Sequence, residues 1–434
     1  MQHLPLFKWL RPDIGIKRWV FLALVGILLV GLGITAVVLK FVSVADLMEM
    51  QSGSGGWLIF AVFATGCIVT TISLRRLMNN ILAPYQRHQR GELIDMMVEH
   101  RRRKKGFKYV AIGGGTGLPA SLRGMKLYTS NITAVVTVAD DGGSSGRLRR
   151  DMGVPPPGDL RNNIAALADD ESLLTQLFQY RFQGGDLAGH SFGNLFIAAL
   201  ADIVHEKSGN KRNSLAEALV EVERVLSIQG RVLPATLDEV NLAATVKLKG
   251  SSRTIKVRGE AHIEEVDGLL DSITVYPENV EAYQPSVQAI LEADLIVIGP
   301  GSLYTSILPN LMIKGIADAL RATNAYKIYV CNVATQPVET EDYSVAEHVM
   351  AMEKHIGRGV FQAVLANNVF PIENAGQNTH YVMAAPEHHE ISQRYEVRYT
   401  DLTDSERPWR HDPFKLAVAI LQLANIDVDI ESLV

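Results

Sequence analysis

Two long runs without a charged residue stand near the N-terminus, at residues 19–39 (WVFLALVGILLVGLGITAVVL) and 57–74 (WLIFAVFATGCIVTTISL). Each approaches the ~20 residues that an α-helix needs to cross a hydrocarbon core. The first run exceeds the roughly 7–15 apolar residues of a signal peptide, and no small-residue cleavage site stands before the second. The pair predicts a two-helix transmembrane hairpin within residues 1–76. Trp19 and Trp57 sit at run ends, where an interfacial aromatic belt places them. Lys8, Arg11, Lys17 and Arg18 precede the first run. Arg75 and Arg76 close the second, and Arg87, Arg90 and the stretch Arg101–Lys105 follow. The intervening loop carries only Lys40 with Asp46 and Glu49. The positive-inside rule then puts both termini in the cytoplasm, as expected of a multi-pass protein of the inner (cytoplasmic) membrane. Residues 77–107 read as a basic juxtamembrane linker attracted to anionic headgroups.

From residue 108 the pattern changes to short apolar runs alternating with helical periodicity. Strands are predicted at 108–112, 132–138, 272–276, 294–298, 327–331 and 360–365, with a hairpin in 242–258 around Gly250-Ser251-Ser252. Helices are predicted at 118–125, 159–168, 171–181, 193–206, 214–227, 284–292, 313–323, 344–355 and 413–424. This alternation predicts a Rossmann-like, doubly wound α/β domain over 108–434, with a mainly parallel sheet. Ligands in such a sheet bind at the carboxyl ends of the strands, so the loops directly after strands carry the information.

Composition narrows the picture. Hydrophobic residues at 47% and charged residues at 21% fit a globular protein with extra apolar sequence. A net charge of −5 supplies no global basic field, so no nucleic-acid partner is expected. Cys67 and Cys331 are the only cysteines, which excludes a disulfide framework or a CxxC metal site and fits a reducing compartment.

Five loops carry candidate chemistry. Gly113-Gly114-Gly115-Thr116-Gly117 follows the first strand and opens a helix. Such glycines let backbone approach a phosphate, and the helix start offers N–H donors. There is no GxxxxGK(S/T), which argues against a P-loop enzyme. The loop Asp140-Asp141-Gly142-Gly143-Ser144-Ser145-Gly146-Arg147 stands roughly 20 residues beyond, where a dinucleotide-binding protein holds a ribose. Its two carboxylates, hydroxyls and Arg147 suit a divalent metal, a ribose and a phosphate, with Asp140 and Asp141 as metal ligands. Pro155-Pro156-Pro157-Gly158 delivers Asp159 to a helix start followed by Arg161 and Asn162. An arginine in a first turn opposes the helix dipole unless an anion lies near. Gly189-His190-Ser191-Phe192-Gly193-Asn194 offers His190 as acid, base or phosphate donor, with Asn194 beside it. Gly299-Pro300-Gly301-Ser302-Leu303-Tyr304-Thr305 is a second glycine-rich cradle. Asn332, Thr335 and Gln336 follow the next strand, and Arg410-His411-Asp412 precedes the last helix. No Ser–His–Asp elbow and no zinc-type His/Cys spacing appears, and no residue set stands out as catalytic.

The ordered motifs GGGTGLPASLRGMK, TVADDGGSSGRLR, PPPGDLRNNIAALA, GHSFGNL, RVLPAT, ADLIVIGPGSLYTSILPNL and VCNVATQPVET resemble the bacterial gluconeogenesis factor family (YvcK type) over residues 108–434. More distantly the chain resembles the CofD-type 2-phospho-L-lactate transferases, which use a nucleoside-diphosphate-linked phospholactate and magnesium. The resemblance implies a UDP-sugar ligand such as UDP-N-acetylglucosamine. It also implies a regulatory role in carbon partitioning, cell shape and cell-wall synthesis during gluconeogenic growth. Carried onto this sequence, Thr116, Asp140, Asp141, Arg147 and Arg410 become ligand contacts, and Gly299–Thr305 completes the diphosphate site. Cell-wall synthesis proteins and a second copy of the chain are the expected partners. The alternative implied is a magnesium-dependent transferase acting on a nucleoside-diphosphate-linked substrate. The GGSSGRLR and GPGSLYTS loops depart from the transferase sequences.

Overall fold

The computed structural model describes residues 17–42, 54–86, 103, 106–168, 173–251, 253–371 and 380–426. The cationic positions Lys8, Arg11, Arg87, Arg90, Arg101, Arg102, Lys104 and Lys105 lie outside the described residues, as do Asp46 and Glu49. The chain divides into two compact units, Met1–Glu99 and His100–Val434.

The N-terminal unit pairs the helices Lys17–Val42 and Ser54–Gln86. Trp19–Val38 and Ile59–Arg76 within them are long and apolar enough to cross a membrane. Glycines set how closely the helices approach. A side chain at Gly66 would meet the Val30 amide at 2.8 Å and the Gly26 carbonyl at 3.0 Å, and one at Gly33 would meet Phe63 Cβ at 2.9 Å. The Arg76 guanidinium stands over the Trp19 ring at 5.5 Å, bringing the start of the first run beside the end of the second. Phe21, Leu24, Leu28 and Phe60 face outward and exposed. Helices apolar on their outer faces suit a lipid surrounding rather than water.

The second unit is built on a seven-stranded sheet. Its strands are β1 (Tyr109–Gly113), β2 (Ile132–Val136), β3 (Arg231–Pro234), β7 (Leu295–Ile298), β8 (Tyr326–Val330), β9 (Ala363–Asn367) and β10 (Glu396–Thr400). Between β3 and β7 in the chain come β4 (Asn241–Leu248), β5 (Thr254–Arg258) and β6 (Gly268–Tyr276), which form a separate antiparallel sheet of order β5-β4-β6. The large sheet has the order β10-β9-β8-β7-β1-β2-β3, and every neighbouring pair is parallel. The fold is therefore the α/β class expected from the alternation. β1, β2, β7 and β9 are buried at every position, as strands covered on both faces must be.

The chain runs outward from β1 through β2 to β3, then returns to β7 and runs outward on the other side. The strand order reverses between β1 and β7, and a ligand crevice opens at such a switch point. The expected hairpin is present, with Gly250 at φ 69° turning β4 into β5.

Four elements differ from the expectation. The stretch after Asp141 is not a loop throughout, because a helix starts at Gly143 and runs to Met152. Its glycines and serines have poor helix propensity, so the helix depends on packing and on Gly153, whose left-handed backbone (φ 62°) ends it. β3 and the edge strand β10 are short, and neither was visible as a periodic run. Leu303–Ile307 forms a π-helical turn, so the second cradle is wound rather than open.

Candidate functional site

The loops after β1 and β7 touch at the switch point. A Cβ at Gly117 would lie 2.7 Å from the Pro300 carbonyl oxygen and 2.9 Å from Gly301 Cα. Only glycine permits that approach. Gly115 takes φ 63°, which turns the first loop tightly before the helix Leu118–Met125. Asn332, just past β8, clamps the second loop: its Oδ1 accepts from the Gly301 amide at 3.0 Å and its Nδ2 donates to the Gly301 carbonyl at 2.8 Å. Gln336 Nε2 donates to Ser302 Oγ at 2.7 Å. Asn310 Nδ2 ties the Gly113 carbonyl to the Ser306 carbonyl.

Above these loops lies a cavity of about 270 Å³. Thr116 stands exposed on one wall, at the start of a helix whose N-terminus has no side-chain cap. Arg123 comes from that helix, Ser302 and Asn332 from the loops after β7 and β8, and Arg407, Trp409 and Arg410 from the segment before the last helix. Among the described residues, none of the three guanidinium groups has an ion-pair partner. Three guanidinium groups beside an uncapped helix start, with the Asp404 carboxylate on the same lining, make a cleft that attracts anions. His411 is a structural member of this wall. Its Nε2 lies 3.2 Å from the Cys331 carbonyl, and burial pushes its pKa down to about 4, so it stays neutral at pH 7.

A second polar cluster lies on the β2 side of the same first loop. Asp159 accepts from the Gly115 amide, and its Oδ2 lies where a side chain on Gly114 would point. Asp140 accepts from the Gly142 amide at 2.8 Å and from Ser145. Its Oδ2 stands 3.1 Å from the position of a Cβ on Gly158, so the two carboxylates share the space around Gly114 and Gly158. Burial, reinforced by the Asp140 charge, raises Asp159 to about 6, and burial also raises Asp140. Ser144 Oγ lies 3.0 Å from His190 Nδ1 and accepts from Asn194 Nδ2 at 3.1 Å. His190 is held below its ordinary pKa by burial and by Arg147. Arg161 is buried, with Nη2 on Asn162 Oδ1 at 2.7 Å.

Not every expected contact faces this space. Asp141 turns the other way: its Oδ1 accepts from the Ala261 amide at 2.9 Å, tying the β2 loop to the first turn of the helix Glu260–Glu264. Asp140 feels the charge of Asp141 and in turn adds its own to Asp159, so the three carboxylates are neighbours although Asp141 is tied to the Ala261 amide. Thr305 is buried, with its hydroxyl donating to Glu339 Oε1 at 2.8 Å, so it braces the cradle rather than lining the cavity. Arg147 Nη2 is engaged by the Ala188 carbonyl at 2.9 Å. Asn332 lines the cavity but spends its amide on Gly301. Arg123, Arg407 and Trp409 were not singled out from the sequence. Their signal was adjacency alone, since Arg123 is one turn along the helix opened by the glycine loop and the other two flank Arg410. Among the described residues, no three His, Cys, Asp or Glu side chains converge as a metal cluster.

A switch-point crevice between two glycine loops, on a seven-stranded all-parallel sheet, marks a doubly wound α/β protein. Its family is explicit. Residues 109–403 match the family model of the 2-phospho-L-lactate transferase CofD. The chain belongs to this family, and within it to the gluconeogenesis factors. A protein of Nostoc sp. provisionally named a gluconeogenesis factor is 43% identical, over 96% of this chain and 92% of its own length. The gluconeogenesis factor of Bacillus subtilis is 45% identical over 60% of this chain and 78% of its own length. The crystal structure of a UPF0052 family member from Bacillus halodurans is similar with a TM-score of 0.65 and 38% identity, covering 73% of this chain and 99% of that one.

Proposed function

We propose that the protein is a membrane-anchored regulator whose cytoplasmic domain binds a UDP-sugar, with UDP-N-acetylglucosamine as reference ligand. The observation that carries this reading is the set of unpaired guanidinium groups, Arg123, Arg407 and Arg410, around the uncapped helix start at Thr116. A diphosphate would supply the missing negative charge, with the Thr116 hydroxyl and the three guanidinium groups donating to its oxygens. Trp409 offers a flat apolar surface for the base. The relatives' name connects the bound state to gluconeogenic growth, and the hairpin would hold the sensor beside cell-wall synthesis proteins at the inner membrane. A homo-oligomer is the assembly expected. Thr116→Ala and Arg410→Ala test the site. Each is expected to weaken UDP-N-acetylglucosamine binding about tenfold or more, since a hydrogen bond to a charged group is worth roughly 1.5–3 kcal/mol. Unchanged affinity in both variants would overturn the assignment.

A second reading rests on Asp140 and Asp159. Two adjacent carboxylates, with phosphate oxygens completing the shell, fit a Mg²⁺ ion. Such an ion would polarise a leaving diphosphate in a transfer reaction. Under this reading Asp159→Asn abolishes a magnesium-dependent turnover that the wild-type protein must first display.

A further inference from the structure

A separate cavity, of about 310 Å³, shares no lining residue with the crevice at Thr116. Val138 lines it two residues past β2, and Leu237–Val240 line it from three residues past β3. It therefore lies at the carboxyl ends of these strands, where ligands of such sheets bind. Arg149 joins the wall from the end of the helix Gly143–Met152, and Lys211 and Arg212 join it from the start of the helix Lys211–Leu226. Val138, Val154, Pro155, Pro156, Leu237 and Val240 supply its apolar part.

The carboxylates on this wall are already engaged. Asp238 accepts from Arg212 and from the Glu281 amide, each at 2.9 Å, and Arg212 also pairs with Glu281 at 2.6 Å. Glu239 accepts from Arg149 Nε at 3.3 Å and from its Nη2 at 3.1 Å, and that Nη2 also donates to Asn241 Oδ1. Two cationic donors are left over. Arg149 is buried, and its Nη1 has no hydrogen-bond partner among the described residues. Buried donors in native proteins are nearly always paired, by protein or by a bound group. Lys211 has no ion-pair partner among the described residues, and its Nζ stands 2.8 Å from where a Cβ on Gly153 would be. Lys211 and Arg212 also open a helix whose first turn carries no acidic residue, so cations stand where the helix dipole favours an anion. The charge of Arg149 reaches Asp140, so the cavity backs onto the polar cluster.

We propose that this cavity binds a small amphipathic anion, an apolar body carrying one carboxylate or phosphate, with Lys211 Nζ and Arg149 Nη1 donating to the oxyanion. Charge-assisted bonds from an ammonium and a guanidinium hold the anionic end, and the valines, prolines and leucine cover the rest. The volume stands at the low end of the ~300–1,000 Å³ of ligand pockets, which selects a small body. The site uses no residue of the UDP-sugar crevice and does not depend on that reading.

The test is calorimetric titration of the full-length protein in lipid nanodiscs with phenyl phosphate, benzoate, inorganic phosphate and benzyl alcohol. The first two carry a phosphate or a carboxylate on one ring; inorganic phosphate lacks the ring and benzyl alcohol lacks the charge. Phenyl phosphate or benzoate is expected to bind with a Kd of about 1 mM or tighter, and at least about tenfold more tightly than either control. Which of the two binds better decides between phosphate and carboxylate. Lys211→Glu, at an exposed position, is expected to weaken that binding at least about tenfold without lowering the melting temperature. Arg410→Ala, in the crevice, is expected to leave it unchanged. No binding of either ring compound at about 10 mM overturns the proposal. Binding that Arg410→Ala abolishes and Lys211→Glu does not places the probe in the crevice and also overturns it. So does inorganic phosphate or benzyl alcohol binding as tightly as the ring compounds.

Discussion

At the scale of single residues, the two carboxylates around Gly158 have a cost in stability that can be read by pH. Asp159 has a folded pKa raised from 3.8 to about 6. Between those values the folded state binds more protons than the unfolded one, so its contribution to stability is full below about 4 and is lost as pH rises through 6. Asp159→Asn removes the buried charge. The variant is expected to melt higher than wild type at pH 7 by the equivalent of on the order of 1–2 kcal/mol, and with no advantage at pH 4. A higher melting temperature at pH 4 than at pH 7, relative to wild type, would contradict this.

At the scale of elements, two close approaches hold the crevice open in one shape. The helix Leu118–Met125 crosses the helix Pro413–Leu423 at Gly124, where a side chain would strike the Pro413 carbonyl and meet Ala417 Cβ at 2.9 Å. Gly124→Ala is expected to push the last helix outward and with it Arg410, lowering stability by about 1–3 kcal/mol and weakening ligand binding together. Gly117→Ala forces apart the loops after β1 and β7 and is expected to reduce binding more than stability, because the clash is confined to the ligand loops. Calorimetric titration and thermal melts on the same samples separate the two effects.

The same elements show what the sequence made legible. The glycine loops after β1 and β7 were readable because a glycine needed for close approach stands directly after a buried apolar run. The direction of a side chain was not. Asp141 and Asp140 are neighbours in sequence, yet one faces Gly158 and the other the Ala261 amide, a partner 120 residues away. Arg123 and Trp409 become wall residues only because the last helix packs on the first. The helix Gly143–Met152 escaped because tertiary packing overrides the poor propensity of its first four residues.

At the scale of the whole molecule, the two units make separate demands. In the hairpin, Gly66→Leu is expected to separate the two helices, since the side chain would meet the Val30 amide and the Gly26 carbonyl. Cysteines placed at Trp19 and Arg76 should then cross-link poorly, whereas the parent pair cross-links well. Ligand affinity of the C-terminal unit should be unchanged by that substitution, because the crevice draws all its walls from residues beyond 108.

On the proposed function, the crevice at Thr116 and Arg410 binds a UDP-sugar and releases it unaltered. The most direct test is calorimetric titration of the full-length protein with UDP-N-acetylglucosamine and, separately, GDP, each with and without magnesium, followed by analysis of the recovered nucleotide. Selective binding of the UDP-sugar, without a strict need for magnesium and with the ligand recovered intact, is the expected result. Preference for GDP with an absolute magnesium requirement, or conversion of the nucleotide sugar, would contradict it and make the Asp140–Asp159 pair the centre of a transferase.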